Sequence, residues 1–181
     1  MDGGVDCIEH IACFIRNREN GLLERMYCPE TMSRYTGRKR WFMMGLSAGY
    51  HNLDDFRSGK RPCGANETFW LEQEERMFAI FRRVTELGLL PVCGTDAGTG
   101  GTRFDETWLE LALMVRRGGL SEKEAIHIGT LQSAACLGLE NQTGAIREGL
   151  SADLMTLEED PFTHIEALAH PAQVICRGEL V

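Results

Sequence analysis

The sequence predicts an α/β protein, a parallel strand-and-helix layer followed by a small β appendage. Three observations carry this. Strand signals alternate with helical ones, the rhythm of a parallel layer. LLPVCGTD at Leu89–Asp96 is apolar on both faces, as a strand covered on both sides is. From Gly144 the texture turns to short strands split by the turn EEDPF. The division expected is residues 1–143 for the main layer and 144–181 for the β piece.

Taken in order, VDCIEHIACF (Val5–Phe14) has apolar residues on alternate positions and then an apolar run, which predicts a buried strand ending near His10. LLERMYCPET predicts a second short strand around Arg25–Cys28, stopped by Pro29. Tyr35–Ala65 has five glycines, a basic run and no steady period, so it reads as a long functional loop with short helical turns. From Asn66, an N-cap candidate, to the stop signal Gly88, the residues Trp70, Met77, Phe78, Phe81, Val84 and Leu87 fall at helical spacing and predict a long amphipathic helix. Leu89–Asp96 is then a buried strand, FDETWLELALMVRRGG a helix, and SEKEAIHIGTLQSAACLGL a third helix opened by a Ser121/Glu124 capping box. The strands of the appendage are expected in ADLMTL and AQVICRGELV.

Over 181 residues, 27 acidic side chains outweigh 19 basic ones, for a net charge of -8. That balance argues against nucleic acid or an anionic membrane face as a partner. The basic cluster RYTGRKRW at Arg34–Trp41 is too narrow to reverse it. The seven cysteines are scattered singly, without the pairs of a zinc ribbon or a disulfide scaffold, and read as reduced thiols. With no apolar window of membrane-spanning length and no signal-peptide pattern at the N-terminus, a soluble cytoplasmic protein is expected.

Parallel α/β layers place reactive groups at the carboxyl ends of strands, where the loops share one rim. His10 and Asp96 both fall at such ends. A carboxylate followed by the small residues AGTGG can ligate a metal, or accept a proton from a water held on one, with the glycines leaving room. A structural reading stands beside this: Asp in a glycine-rich turn is a turn former, and a lone His after an apolar run is commonly a core residue. The glycines could instead cradle phosphate, but the loop lacks a Walker lysine and has Arg103 where a dinucleotide fingerprint needs its third glycine.

A resemblance bears on the choice. GVDCIEH at Gly4–His10, PVCGTDAG, the run LELALMVRRGGLSEKEAIHIGTLQSAACLGLENQTGAIREGLSADLMTLEEDPF and the closing VICRGELV resemble the C-terminal part of the amidohydrolase superfamily, closest to its imidazolonepropionase and Xaa-Pro dipeptidase-like members. The resemblance implies a (β/α)8 TIM barrel with a small β-sandwich, of which this chain would hold about the last three strand–helix units and a sandwich piece. It implies a metal-dependent hydrolase of carbon–nitrogen bonds acting on small amide or dipeptide-like substrates. His10 then matches the strand-six metal ligand, and Asp96 the strand-eight Asp that binds metal and shuttles a proton. The cofactor implied is a divalent metal, zinc in first place.

The pattern is also incomplete. No His-x-His occurs in the sequence, and His51, His127, His164 and His170 read as structural or surface residues. Three strands cannot close an eight-stranded barrel, and two ligands fall short of the three or four that hold a catalytic zinc. The expectation is therefore an incomplete C-terminal portion: a truncated gene product, a fragment of a longer open reading frame, or a half that pairs with a complementing chain or a second copy. A non-catalytic remnant pairing through its open sheet edge is the alternative. The Tyr35–Ala65 loop could contribute to a substrate pocket; Arg38, Arg40 and Arg103 read first as surface arginines, with bidentate grip on a carboxylate as the other use of a guanidinium, and the substrate itself is not legible.

Overall fold

A computed structural model describes residues 4–181, which cluster into two compact units divided between Phe104 and Asp105. The expected boundary at Gly144 lies inside the second unit.

The first unit is built on a parallel sheet of three strands in the order β1-β4-β5. These are β1 (Cys7–Glu9), β4 (Trp41–Met43) and β5 (Leu90–Pro91). Ile8 sits opposite Phe42, and Phe42 opposite Pro91, so β4 is the middle strand. This corrects the reading of Tyr35–Ala65 as irregular. The run WFMMGL within it is short, apolar and preceded by charge, as a strand covered on both faces is. Phe42 and Leu46 are fully buried, and the Phe42 ring lies 5.9 Å from that of Phe81.

Between β1 and β4 the chain forms an antiparallel hairpin, β2 (Cys13–Arg16) with β3 (Leu23–Met26), and a short helix, α1 (Pro29–Ser33). The strand expected to end near His10 is β1, which stops at Glu9 but is part-exposed rather than buried, and the one expected at Arg25–Cys28 lies slightly earlier and belongs to this hairpin. A 3-10 turn (Tyr50–Leu53) and α2 (Asp54–Arg57) follow β4.

The long helix α3 (Ala65–Glu86) starts one residue before Asn66, with Gly64 as its N-cap. The Glu67 carboxylate accepts from the Gly64 N–H at 3.0 Å, satisfying an exposed amide without Asn66. Phe78, Phe81 and Val84 lie fully buried on its inner face. The strand expected over Leu89–Asp96 is shorter than its apolar run. Val92 still donates to Phe42 O at 2.9 Å, but Pro91 has no N–H to give and the chain leaves the ladder beyond Val92.

The second unit holds α4 (Thr107–Arg116), whose positions from Leu109 to Met114 are all buried. The third expected helix is α5 (Glu122–His127) and α6 (Ser133–Cys136), joined by a π turn at Ile128–Gln132. Ser133 Oγ donates to Ile128 O at 2.7 Å, a bond that helps satisfy a carbonyl in the wider turn. The appendage is an antiparallel sheet, β6 (Leu154–Thr156), β7 (Gln173–Cys176) and β8 (Glu179–Leu180), within the segments expected to form it.

Candidate functional site

His10 is the residue immediately after β1, and Asp96 lies five residues beyond the end of β5. Because the two strands run parallel in one sheet, their carboxyl ends open on the same rim. There the structure brings the two side chains together, with His10 Nε2 at 3.7 Å from Asp96 Oδ2 and both about half exposed, at 49% and 41%. The separation is too long for a direct hydrogen bond.

Both residues adopt left-handed backbone, with φ of 51° at His10 and 56° at Asp96. His10 turns the chain out of β1, and Asp96 opens the turn in which the Thr99 N–H donates to Asp96 O at 3.3 Å. His and Asp are among the non-glycine residues that tolerate this region best. Thr99 Oγ1 donates to Asp96 O at 2.7 Å and lies 3.3 Å from Asp96 Oδ2, so the turn itself orients the carboxylate.

The middle strand supplies the floor. Gly45 follows β4 with φ of 67°, and a Cβ there would stand 3.7 Å from His10 Cε1. The glycine loop after Asp96 is tied to the turn after β4. Asn52 Nδ2 donates to Gly100 O at 2.7 Å, and the Gly49 N–H donates to the buried Thr102 Oγ1 at 3.0 Å. Thr99, Asn52 and Thr102 escaped the sequence reading. Of these only Thr99 had a local signal, a hydroxyl three residues after an Asp in a turn.

The remaining candidates are elsewhere. Arg40 is engaged with Asp6 at 3.3 Å. His51 Nδ1 lies 2.7 Å from Asp54 Oδ2, and Arg57 bridges Asp54 to Glu74 at 2.6 Å from each. His127 closes α5, and His164 lies 3.9 Å from Glu159 on the surface.

An imidazole nitrogen and a carboxylate oxygen are the donor types of a zinc site. Two such donors on one tetrahedral ion at ~2.1 Å stand about 3.4 Å apart. The observed 3.7 Å is close to that spacing. The pair fits as two corners of a metal site, but no group of three His, Cys, Asp or Glu side chains suited to a metal occurs among the described residues. No helix among those residues is long and apolar enough to cross a membrane.

The sequence model of the Amidohydrolase family matches residues 71–181, more than half of the chain. The chain is 35% identical over 95 residues to an ochratoxinase of Aspergillus niger, a match covering 52% of this chain and 19% of that protein. It is 32% identical over 98 residues to an imidazolonepropionase of Kosmotoga olearia, covering 54% of this chain and 23% of the relative. Among solved structures, a Xaa-Pro dipeptidase with bound methionine in its active site superposes with a TM-score of 0.74 at 25% identity, over 99% of this chain and 40% of that one. The matches thus span about a fifth of the curated relatives and two fifths of the solved structure.

Proposed function

This chain belongs to the amidohydrolase family, and from that premise we propose that it carries one side of a metal-dependent active site that hydrolyses carbon–nitrogen bonds of small amide or dipeptide-like substrates. The observation that carries the reading is the approach of His10 Nε2 to Asp96 Oδ2, 3.7 Å apart where two parallel strands end. In this reading β1, β4 and β5 are the last three strands of a (β/α)8 barrel, residues 1–143 belong to the barrel, and 144–181 form a piece of the family's β-sandwich.

His10 and Asp96 are the residues that would hold a divalent metal, zinc in first place. Held there, such an ion would supply Lewis acidity and would lower the pKa of water towards about 7. Asp96 takes the proton of the attacking water and delivers it to the leaving nitrogen, general acid–base work that a carboxylate can do from one position. Thr99 holds that carboxylate in place, and Gly45 leaves room beside the His10 ring. The other donors come from outside the described residues, on a preceding part of the protein or on a complementing chain.

The test supplies those donors. Co-expressing the chain with the N-terminal half of a family member, and assaying amide and dipeptide panels with zinc, is expected to give turnover that Asp96→Asn lowers by about a thousandfold or more. Full activity in the Asp96→Asn complex would sink the assignment. The incomplete donor set also favours a second reading, a non-catalytic module that pairs through the open edge of its sheet. Complex formation without zinc uptake or turnover would select it.

A further inference from the structure

A cavity of about 300 Å³ opens in the first unit between the β2–β3 hairpin, the turn after β4 and the first half of α3. Arg25, Asn52, Leu53, Trp70, Gln73 and Met77 line it; neither His10 nor Asp96 does. Its size is at the small end of ligand pockets, and its mixture of apolar wall with a few polar groups is their usual composition.

Arg25 is its distinctive group. The guanidinium lies over the Phe14 ring at 4.8 Å, and Phe14 in turn meets Trp70 edge-on at 5.7 Å. No carboxylate or carbonyl of the described residues engages it, and its Nε is buried without a hydrogen-bond partner. Burial alone pushes the Arg25 pKa down. The nearby acids are spoken for. Glu24 accepts from Asn17 and Asn20 at 2.9 Å each and pairs with Arg76 at 3.3 Å, while Glu74, on the cavity wall, pairs with Arg57 at 2.6 Å. The backbone around Arg25 is also fixed, because the Arg25 N–H donates to the buried Gln73 side chain at 2.6 Å.

A half-buried cation left unpaired is costly unless something else neutralises it. We propose that this cavity is a second binding site, taking a small monocarboxylate with an apolar or aromatic body, its carboxylate on Arg25 and its body against Trp70 and Met77. A guanidinium fork matches a planar carboxylate in two-point contact. One uncompensated cation suits a single negative charge better than a phosphate dianion. Trp70, 43% exposed at the mouth, offers the ring face for the apolar part. The carboxylate could belong to the hydrolytic substrate or to a separate ligand, and the two sources give different outcomes below.

Calorimetric titration of the 181-residue chain with 3-phenylpropionate and with its neutral amide tests this. Saturable one-to-one binding of the acid is expected, at least about tenfold tighter than the amide. Arg25→Gln is expected to remove that preference, and Arg25→Lys to restore it only in part because an ammonium lacks the fork. A separate site leaves the acid's affinity unchanged in Asp96→Asn, and a site shared with the hydrolytic substrate changes it. No saturable binding, or equal affinity for acid and amide in the unaltered chain, would overturn the proposal whatever the variants do. Neither result depends on turnover, so the hydrolase reading stands or falls separately.

Discussion

His10 and Asp96 face each other across 3.7 Å, and each reaches that position through a left-handed backbone residue, with φ of 51° and 56°. Two non-glycine residues in this region, meeting at one rim, mark a place where local strain is kept because the surrounding structure fixes it. Histidine tolerates the conformation and a β-branched residue does not. His10→Val is therefore expected to lose about 1–2 kcal/mol more than His10→Asn in urea unfolding. Equal losses would show that the turn after β1 relaxes freely.

Phe42 holds the sheet to its helix. It is fully buried on the middle strand with its ring 5.9 Å from Phe81. Phe42→Ala should cost about 3–5 kcal/mol by chemical denaturation. A loss under ~1 kcal/mol would mean that β4 is not the centre of the core.

In the second unit, Gly144 has φ of 92°, and a Cβ there would stand 2.7 Å from Ala134 Cβ and 3.1 Å from Leu131 Cα. Neither neighbour is a flexible side-chain end. Gly149 has φ of 87° with open space around it. Gly149→Ala should lose about 1 kcal/mol from the backbone alone, and Gly144→Ala about 1–3 kcal/mol more from the overlap. Thermal unfolding of the two variants compares them directly.

The capping box of α5 gives a pH dependence. Ser121 Oγ donates to Glu124 at 2.6 Å and the Ser121 N–H at 2.8 Å, and these bonds, the hydroxyl's first, hold the Glu124 carboxyl below its ordinary value of 4.5. A depressed folded pKa means that this contribution is complete above the unfolded value and fades as pH falls through the folded one. Ser121→Ala should cost about 1 kcal/mol near neutrality. It should also move the Glu124 midpoint upward in a carboxyl carbon NMR titration. An unmoved midpoint would remove the hydroxyl as its cause.

Long periodic segments were legible without coordinates. α3 shows helical spacing from Trp70 to Val84, and Ser121 with Glu124 announces α5, because these are local patterns governed by a helical turn or a cap. β4 was obscured because three residues carry too little periodicity to outweigh the glycines and charges around them. The hairpin β2–β3 was hidden for a similar reason, since its pairing of Cys13 with Met26 is a contact between segments.

The site divides in the same way. The sequence alone determined that His10 and Asp96 follow apolar strand signals, that a glycine loop comes after the Asp, and that both residues resemble amidohydrolase metal ligands. Only the tertiary structure decided that they stand 3.7 Å apart, that Gly45 lies beside the His10 ring, and that Asn52 and Thr102 tie the glycine loop to the turn after β4. It also decided that Arg25, which no motif singled out, lines a cavity with its Nε buried and without a hydrogen-bond partner. The physical reason is common to all of these: strand and helix signals act over a few neighbouring residues, whereas the distance between two side chains 86 positions apart is set by how strands pair in a sheet.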